Sequence, residues 1–339
     1  MTQDNKLGIS LNNDHDIFKK LNFPHLKKRA ISVAMASPTT TITKKKEKKK
    51  KLLGSPAASF LAGYMNDLIQ DTQVVGMEDY KILDLIGFGG FSIVHKVSHL
   101  RTHQSFAVKI IHHALMNRLE KLRLGRELSI WKSLHHPRIL QLVKIVQTDT
   151  HTYLLCDYCS RGTLFKLLHS QVRFSEAKAK KIFKQICQGV YYLHVDCQVS
   201  HRDLKLENIL INDQGHVKIC DFGFAVLLDN MQQNRDELMG GSLPYISPEH
   251  ILSPSPYCYP KEADIWALGV ILFALVTGYL PFDDAYEPRL QQKILQADYT
   301  IPSSLSLPLT HLIHHCLNYQ VNERFTIDQV LNSTWLKNV

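Results

Sequence analysis

No stretch of this 339-residue sequence is apolar enough, for long enough, to read as a membrane span. The nearest approach, Ile265 to Phe282, is uncharged for 18 residues. It contains Gly269, Gly278 and Pro281, however, and is bracketed by Asp264, Asp283 and Asp284, which marks a buried core helix. The N-terminus, Met1-Thr2-Gln3-Asp4-Asn5-Lys6, lacks the short apolar run and cleavage site of a secretory signal. Cysteine is sparse. The seven present are odd in number, unevenly spaced and mostly set in apolar runs such as Lys218-Ile219-Cys220, which argues against a disulfide scaffold and for a reducing compartment. Cys156-Asp157-Tyr158-Cys159 has the spacing of a zinc knuckle, but no second Cys/His pair of matching form accompanies it, so these are read as buried thiols. Internal repeats are missing as well.

What remains is ordinary globular material, 45% hydrophobic and 21% charged, enough for one large domain or two modest ones. The net charge of +9 is unevenly placed. Residues 1–78 hold thirteen Lys and Arg against seven Asp and Glu, so the basicity belongs mainly to this tail. Its mixture of Asn, Lys, Ser and Thr predicts disorder over 1–78. The block Lys44-Lys45-Lys46-Glu47-Lys48-Lys49-Lys50-Lys51 keeps three readings open: a nuclear import signal, a contact for an anionic surface, or a solvated tail. Phe60 to Ile69 is expected to form a short helix docking on the domain behind it. From Tyr80 the texture changes to short Ile-, Val- and Leu-rich runs punctuated by glycine, which predicts strands up to about Asp157. One helix interrupts them, its apolar stripe Leu124, Leu128, Trp131 and Leu134 stopped by His135-His136-Pro137. After Gly162 the helical period dominates, clearest over Ala177–His194 and Ala263–Thr277. The fold class expected is α+β, with a small sheet lobe and a larger helical one.

Gly87-Phe88-Gly89-Gly90-Phe91-Ser92-Ile93-Val94 follows the first strand. Glycines there let backbone amides approach phosphate oxygens that side chains would push away; alone, the plainer reading is a glycine-rich hairpin. Fifteen residues past Val94, the strand Phe106-Ala107-Val108-Lys109 ends in a lysine placed to meet phosphates under that loop, the bland alternative being a surface lysine. Glu127, on the helix described above, is the expected partner of Lys109, and Glu120, two turns earlier on a similar face, is the alternative. The most specific stretch is His201-Arg202-Asp203-Leu204-Lys205-Leu206-Glu207-Asn208, followed by Asp221-Phe222-Gly223. Phosphoryl transfer needs a carboxylate to orient the attacking hydroxyl and take its proton, oxygens for Mg²⁺, and a cation near the transferring group. Asp203, Asn208 with Asp221, and Lys205 supply these in turn.

On these motifs the chain resembles the eukaryotic protein kinase family from Tyr80 to about Trp335. The resemblance implies a bilobal fold with a sheet lobe over 80–156, a hinge over 157–162 and a helical lobe over 163–336. It implies Mg²⁺ and ATP in the cleft, the nucleotide against Ile86, Gly87, Gly89, Gly90, Val94 and Ala107. Asp157 and Cys159 would lie on the hinge, and Cys156 at the position that gates the pocket behind adenine. Gly241-Ser242-Leu243-Pro244-Tyr245-Ile246-Ser247-Pro248-Glu249 matches the end of the activation segment, with Ser247 in place of the usual alanine. Asp264 matches the brace of the catalytic loop, and Glu249 with Arg324 a buried ion pair. Lys205 is the serine/threonine form of the loop, so protein Ser and Thr hydroxyls are the implied acceptors. Tyr158-Cys159-Ser160, Leu164-Phe165 and Leu243-Pro244-Tyr245 are similar to checkpoint-type members of the calmodulin-dependent and AMP-activated group.

Several positions depart from the family's pattern. Ser92 replaces the third glycine and Leu206 the usual proline, neither a catalytic group. Thr163 stands where basophilic relatives often have glutamate, which leaves Glu207 as a candidate substrate contact. From Phe224 through Gly241 the activation segment has no Ser, Thr or Tyr. Arg202, which in relatives answers to a phosphate, is therefore expected to use Asp236 or Glu237 as a built-in anion, giving basal activity without phosphorylation there. With four residues after Trp335, no C-terminal autoinhibitory helix is expected, and control is expected from the tail or a regulatory partner. The expected protein is intracellular, in the cytoplasm, the nucleus or both, and monomeric. The alternatives are a silent pseudokinase scaffold and a kinase of small molecules; nucleic-acid binding through the lysine block would be an accessory.

Overall fold

The computed structural model describes residues 76–89, 91–228, 241–253 and 259–337. Most of the tail expected over 1–78, with the lysine block and the helix expected at Phe60 to Ile69, lies outside the described residues, as do Asp236, Glu237 and Gly90. Gly76 to Glu78 lie against the sheet: Met77 is buried, and Lys144 donates to the Gly76 carbonyl at 2.6 Å.

Short runs rich in Ile, Val and Leu build the first five strands, β1 (Tyr80–Phe88), β2 (Ser92–His99), β3 (Ser105–His112), β4 (Leu142–Gln147) and β5 (His151–Asp157). They pair antiparallel in the order β1-β2-β3-β5-β4. The register places Val94 opposite Lys109, and Ala107 opposite Cys156. It therefore sets the hairpin, the lysine and the end of β5 on one face. On the other face Ile93, Val97, Val108, Ile110 and Leu155 form a small separate core.

Between β3 and β4 runs α1 (Arg118–Ser133), opened by a capping box in which Asn117 and Glu120 satisfy each other's backbone amides. Glu120 is thereby committed to the cap. The buried face, Leu124, Glu127, Leu128 and Trp131, follows the i, i+3, i+4, i+7 pattern. Trp131 Nε1 donates to the Leu140 carbonyl at 2.7 Å and ties the helix to the β4 approach.

The helical lobe starts with α2 (Leu164–Gln171) and α3 (Glu176–Tyr191), capped by Thr163 and Ser175. Short strands β6 (Val199–Ser200), β7 (Ile209–Ile211), β8 (Val217–Ile219) and β9 (Val226–Leu227) pair as β6 with β9 and β7 with β8. They frame the segment 201–208 and the approach to Asp221. Beyond lie α4 (Pro248–Leu252), α5 (Pro260–Thr277), α6 (Glu287–Leu295), α7 (Leu307–Cys316), α8 (Ile327–Leu331) and α9 (Thr334–Lys337).

The uncharged run from Ile265 is α5, buried on every side from Asp264 to Thr277, as a central core helix must be. Gly269 lets α7 approach: a Cβ there would lie 2.8 Å from Cys316 Cβ. Gly278 ends the helix at φ 89°, where a Cβ would fall 2.3 Å from the Val172 carbonyl oxygen. No helix among the described residues is long and apolar enough to cross a membrane.

Candidate active site

A cleft of about 460 Å³ lies beneath the β1–β2 hairpin, between the sheet and the helical lobe. Of the residues the sequence assigns to the nucleotide, Ile86, Gly89, Val94, Ala107, Lys109, Asp157, Cys159, Asn208 and Asp221 line it. Gly87 pairs with Val94 in the hairpin and does not line the cleft. Gly89 donates to the Ser92 carbonyl at 2.6 Å, and a Cβ on it would sit 2.8 Å from Ser92 Oγ. A side chain there would displace the Ser92 hydroxyl.

Lys109 Nζ lies 3.2 Å from Glu127 Oε1. Burial alone would favour loss of the lysine proton, but the carboxylates of Glu127 and Asp221 outweigh it and hold the group charged, above the usual lysine range. Burial pushes the Glu127 carboxyl up, with Lys109 opposing. A Cβ on Gly223 would meet both Asp221 Oδ1, at 3.4 Å, and Glu127 Oε2, at 3.6 Å. The helix carboxylate and the Asp221 segment therefore converge on one point. Phe222 fixes that approach from behind, its ring 6.3 Å from Trp131 and 5.2 Å from His201.

The 201–208 segment is organised by Asp264, which lies wholly inside the lobe. Its Oδ2 accepts from His194 Nε2 (2.8 Å), Ser200 Oγ (2.9 Å) and the His201 amide (2.8 Å), and its Oδ1 from the Arg202 amide (2.8 Å). Burial would raise this carboxyl, but these donors, His194 foremost, hold it below the ordinary range. Arg202 at φ 63° and Asp221 at φ 69° are both left-handed non-glycine residues within the site.

Asp203 is buried, and three side chains converge on its carboxylate. Oδ2 accepts from Lys205 Nζ at 2.6 Å and Asn208 Nδ2 at 3.0 Å, while Oδ1 accepts from Ser242 Oγ at 3.2 Å. Lys205 also reaches Ser242 Oγ, at 2.9 Å. Burial raises the Asp203 carboxyl despite the pull of Lys205. Asp221 moves the other way: burial would raise it too, but Lys109 and Lys205 hold it low. Two neighbouring carboxylates pushed apart is the pattern of a proton acceptor beside a permanently ionised ligand.

Glu207 is buried near Lys205, with Oε2 lacking a hydrogen-bond partner among the described residues. Farther along, Arg324 grips Glu249 with both nitrogens, at 2.7 and 2.9 Å. Ser247 Oγ lies 2.8 Å from Nδ1 of the buried His250.

Sequence reasoning missed the bridging role of Ser242 and the support His194 gives Asp264. Neither carries a local signal, since each acts across more than thirty residues of chain. It also left out Tyr158, Leu210 and Cys220, which line the cleft. Cys156 and Cys159 are buried, and burial pushes both thiols up to about 12, so they stay protonated apolar lining.

The protein kinase domain family matches residues 80–336. Among curated relatives, the serine/threonine-protein kinase SIK3 homolog of Danio rerio is 35% identical over 259 residues, covering 76% of this chain and 21% of that protein. The serine/threonine-protein kinase PLK4 of Drosophila virilis is 36% identical over 264 residues, covering 77% of this chain and 33% of that protein. The chain thus spans about a fifth and a third of the length of these two relatives. With the family match extending over the whole cleft and both lobes, the chain belongs to the protein kinase family.

Proposed function

We propose that the protein is a serine/threonine protein kinase that moves the γ-phosphoryl group of ATP to Ser and Thr hydroxyls of proteins. The observation that carries this reading is the Asp203 carboxylate, buried and held by Lys205, Asn208 and Ser242, sharing a site with the Lys109–Glu127 pair. Asp203 aligns the acceptor hydroxyl and takes its proton; Ser242 Oγ, donating to Oδ1, illustrates that a serine hydroxyl fits this acceptor. Lys205 stabilises negative charge as the phosphoryl group moves, and Lys109 holds the α and β phosphates. Glu127 keeps Lys109 aimed.

The donor set fits Mg²⁺. The amide nitrogen of Asn208 is committed to Asp203, at 2.9 Å to the carbonyl and 3.0 Å to Oδ2, which leaves its amide oxygen for a cation. Asp221, held ionised, is the second ligand, and one carboxylate plus one carbonyl completed by phosphate and water is how this ion is usually held. When bound, Mg²⁺ neutralises phosphate charge.

Activity without phosphorylation of the activation segment is part of the proposal. Lys109–Glu127 is formed and Asp221 faces the cleft in a chain with no Ser, Thr or Tyr between Phe224 and Gly241. Asp236 and Glu237 remain the proposed internal anions for Arg202; the double variant Asp236→Lys, Glu237→Lys should lower turnover, and unchanged activity would sink that part. An intracellular, monomeric enzyme controlled by its basic tail or by a partner protein completes the picture. The test of the main reading is labelled ATP with Mg²⁺ on a degenerate peptide array, run beside Asp203→Asn. Phosphate on Ser and Thr peptides from the wild type alone is expected; equal incorporation by both proteins would refute it.

A further inference from the structure

The last turns of α7 carry His311, His314 and His315, outside the cleft and without a part in phosphoryl transfer. His314 is committed to Tyr299, its Nδ1 lying 3.0 Å from the phenol oxygen. His311 and His315, four residues apart, share a helix face, and their Nε2 atoms lie 3.0 Å from each other. We propose that these two nitrogens form a binding site for a divalent transition-metal ion.

The geometry carries the inference. Imidazole nitrogens bind such ions at about 2.0–2.1 Å. Two bonds of that length at a right angle set the nitrogens about 2.8–3.0 Å apart, and at a tetrahedral angle about 3.3–3.4 Å. The observed 3.0 Å matches adjacent positions of a square-planar or octahedral ion, which favours Ni²⁺ or Cu²⁺; Zn²⁺ requires a small opening of the pair. One ring is fixed and the other free to adjust. His315 stacks on Phe325 with centroids 4.1 Å apart and planes 4° apart, while His311 is exposed and 6.1 Å from the same ring.

Protons balance without a co-reactant. In the metal-free pair one Nε2–H donates to the other Nε2; on binding, that ring moves its hydrogen to Nδ1, and both Nε2 lone pairs become ligands. No group of three or more ligating side chains occurs among the described residues, so the remaining positions fall to water and the affinity stays below that of a four-ligand structural site. The ion would staple the last turn of α7, where His315 packs on Phe325, next to Arg324 of the buried pair with Glu249.

The test is thermal unfolding of the full chain, freed of metal by chelator and without nucleotide, with Ni²⁺ alone and then Zn²⁺ alone titrated in. At free metal about a hundred times the dissociation constant, the melting temperature should rise by roughly 5–10 °C. Mg²⁺ alone should not produce it. The chain has 18 histidines, so His311→Ala is the decisive variant. Because this residue is exposed, its loss should spare the fold and abolish the shift, whereas His314→Ala should keep it. Isothermal titration should show one ion per chain for the wild type and none at this affinity for His311→Ala. No shift in the wild type, or an undiminished shift in His311→Ala, overturns the proposal.

Discussion

Replacing Asp264 with asparagine changes no shape but removes the charge on which four donors converge. The amide oxygen would take the place of Oδ2 and keep His194, Ser200 and the His201 amide, since that position serves three partners. The new NH₂ would then face the Arg202 amide, donor against donor. Each retained bond falls from the charged to the neutral class, a loss of about 1 kcal/mol, and a stranded buried amide costs about 1–3 kcal/mol more. Neighbouring terms do not add fully, so the net destabilisation should be about 3–5 kcal/mol. For a domain of this size that is a fall in melting temperature of roughly 6–20 °C. The catalytic effect should exceed what stability explains, because the Arg202 amide is an anchor of a left-handed residue directly before Asp203. Calorimetry gives the first quantity, and turnover at a temperature where both proteins are folded gives the second. Melting within 2 °C of wild type, with unchanged turnover, would refute the bracing role.

Four further outcomes follow from the same geometry. Asp203→Asn should lower turnover at least about 100-fold while ATP affinity by calorimetry stays within a few-fold, since the change removes the proposed proton acceptor and leaves the proposed phosphate contacts in place. Glu127→Gln should reduce kcat/KM for ATP about 10- to 100-fold by loosening Lys109, and Lys109→Met should do so more severely. Arg324→Ala should destabilise by about 3–5 kcal/mol in chemical denaturation, because it strands the Glu249 carboxylate in the interior. Glu249 and Asp264 both titrate below their ordinary values when folded; their contribution is therefore full above the unfolded carboxylate range and lost as pH falls through and below it, which acid titration of the melting temperature should show.

The parts of this molecule legible in its sequence are those whose chemistry is local. The Asp203, Lys205 and Asn208 set lies within six residues, so spacing alone puts three groups on one loop, and two of them do meet the third. Glu127 could be chosen over Glu120 only partly from periodicity, since both share a face; the capping box at Asn117 is what removes Glu120 from contention. That box, Asn-x-x-Glu, is a local signal in the sequence. The uncharged run at Ile265 was legible as a core helix because its glycines and flanking acids fit no bilayer, and it is buried throughout. Ser242 and His194 were not legible, because a hydroxyl and an imidazole acquire their roles only when the chain folds them against distant carboxylates.

What the fold adds to the motifs is a tie between two strained loops. Arg202 and Asp221 each hold a left-handed backbone at a cost of about 1–3 kcal/mol, and neither is a glycine. Such a cost persists only where the surroundings over-determine the conformation. Here the surroundings are Asp264, which holds the Arg202 amide, and the two loops themselves. His201 Nε2 donates to the Cys220 carbonyl at 3.1 Å, the Cys220 amide donates to the Asn208 carbonyl at 2.9 Å, and His201 Nδ1 accepts from the Asp203 amide at 3.3 Å. This pattern requires the hydrogen of His201 on Nε2 and the lone pair on Nδ1. One imidazole thereby fixes the backbone next to Asp203 and the backbone next to Asp221 at once, so the proposed proton acceptor and the proposed Mg²⁺ ligands are held in a common register. His201 does not line the cleft and is a positioning residue. Its place at the head of the segment follows from the need to lock two strained carboxylate-bearing loops together before any substrate arrives.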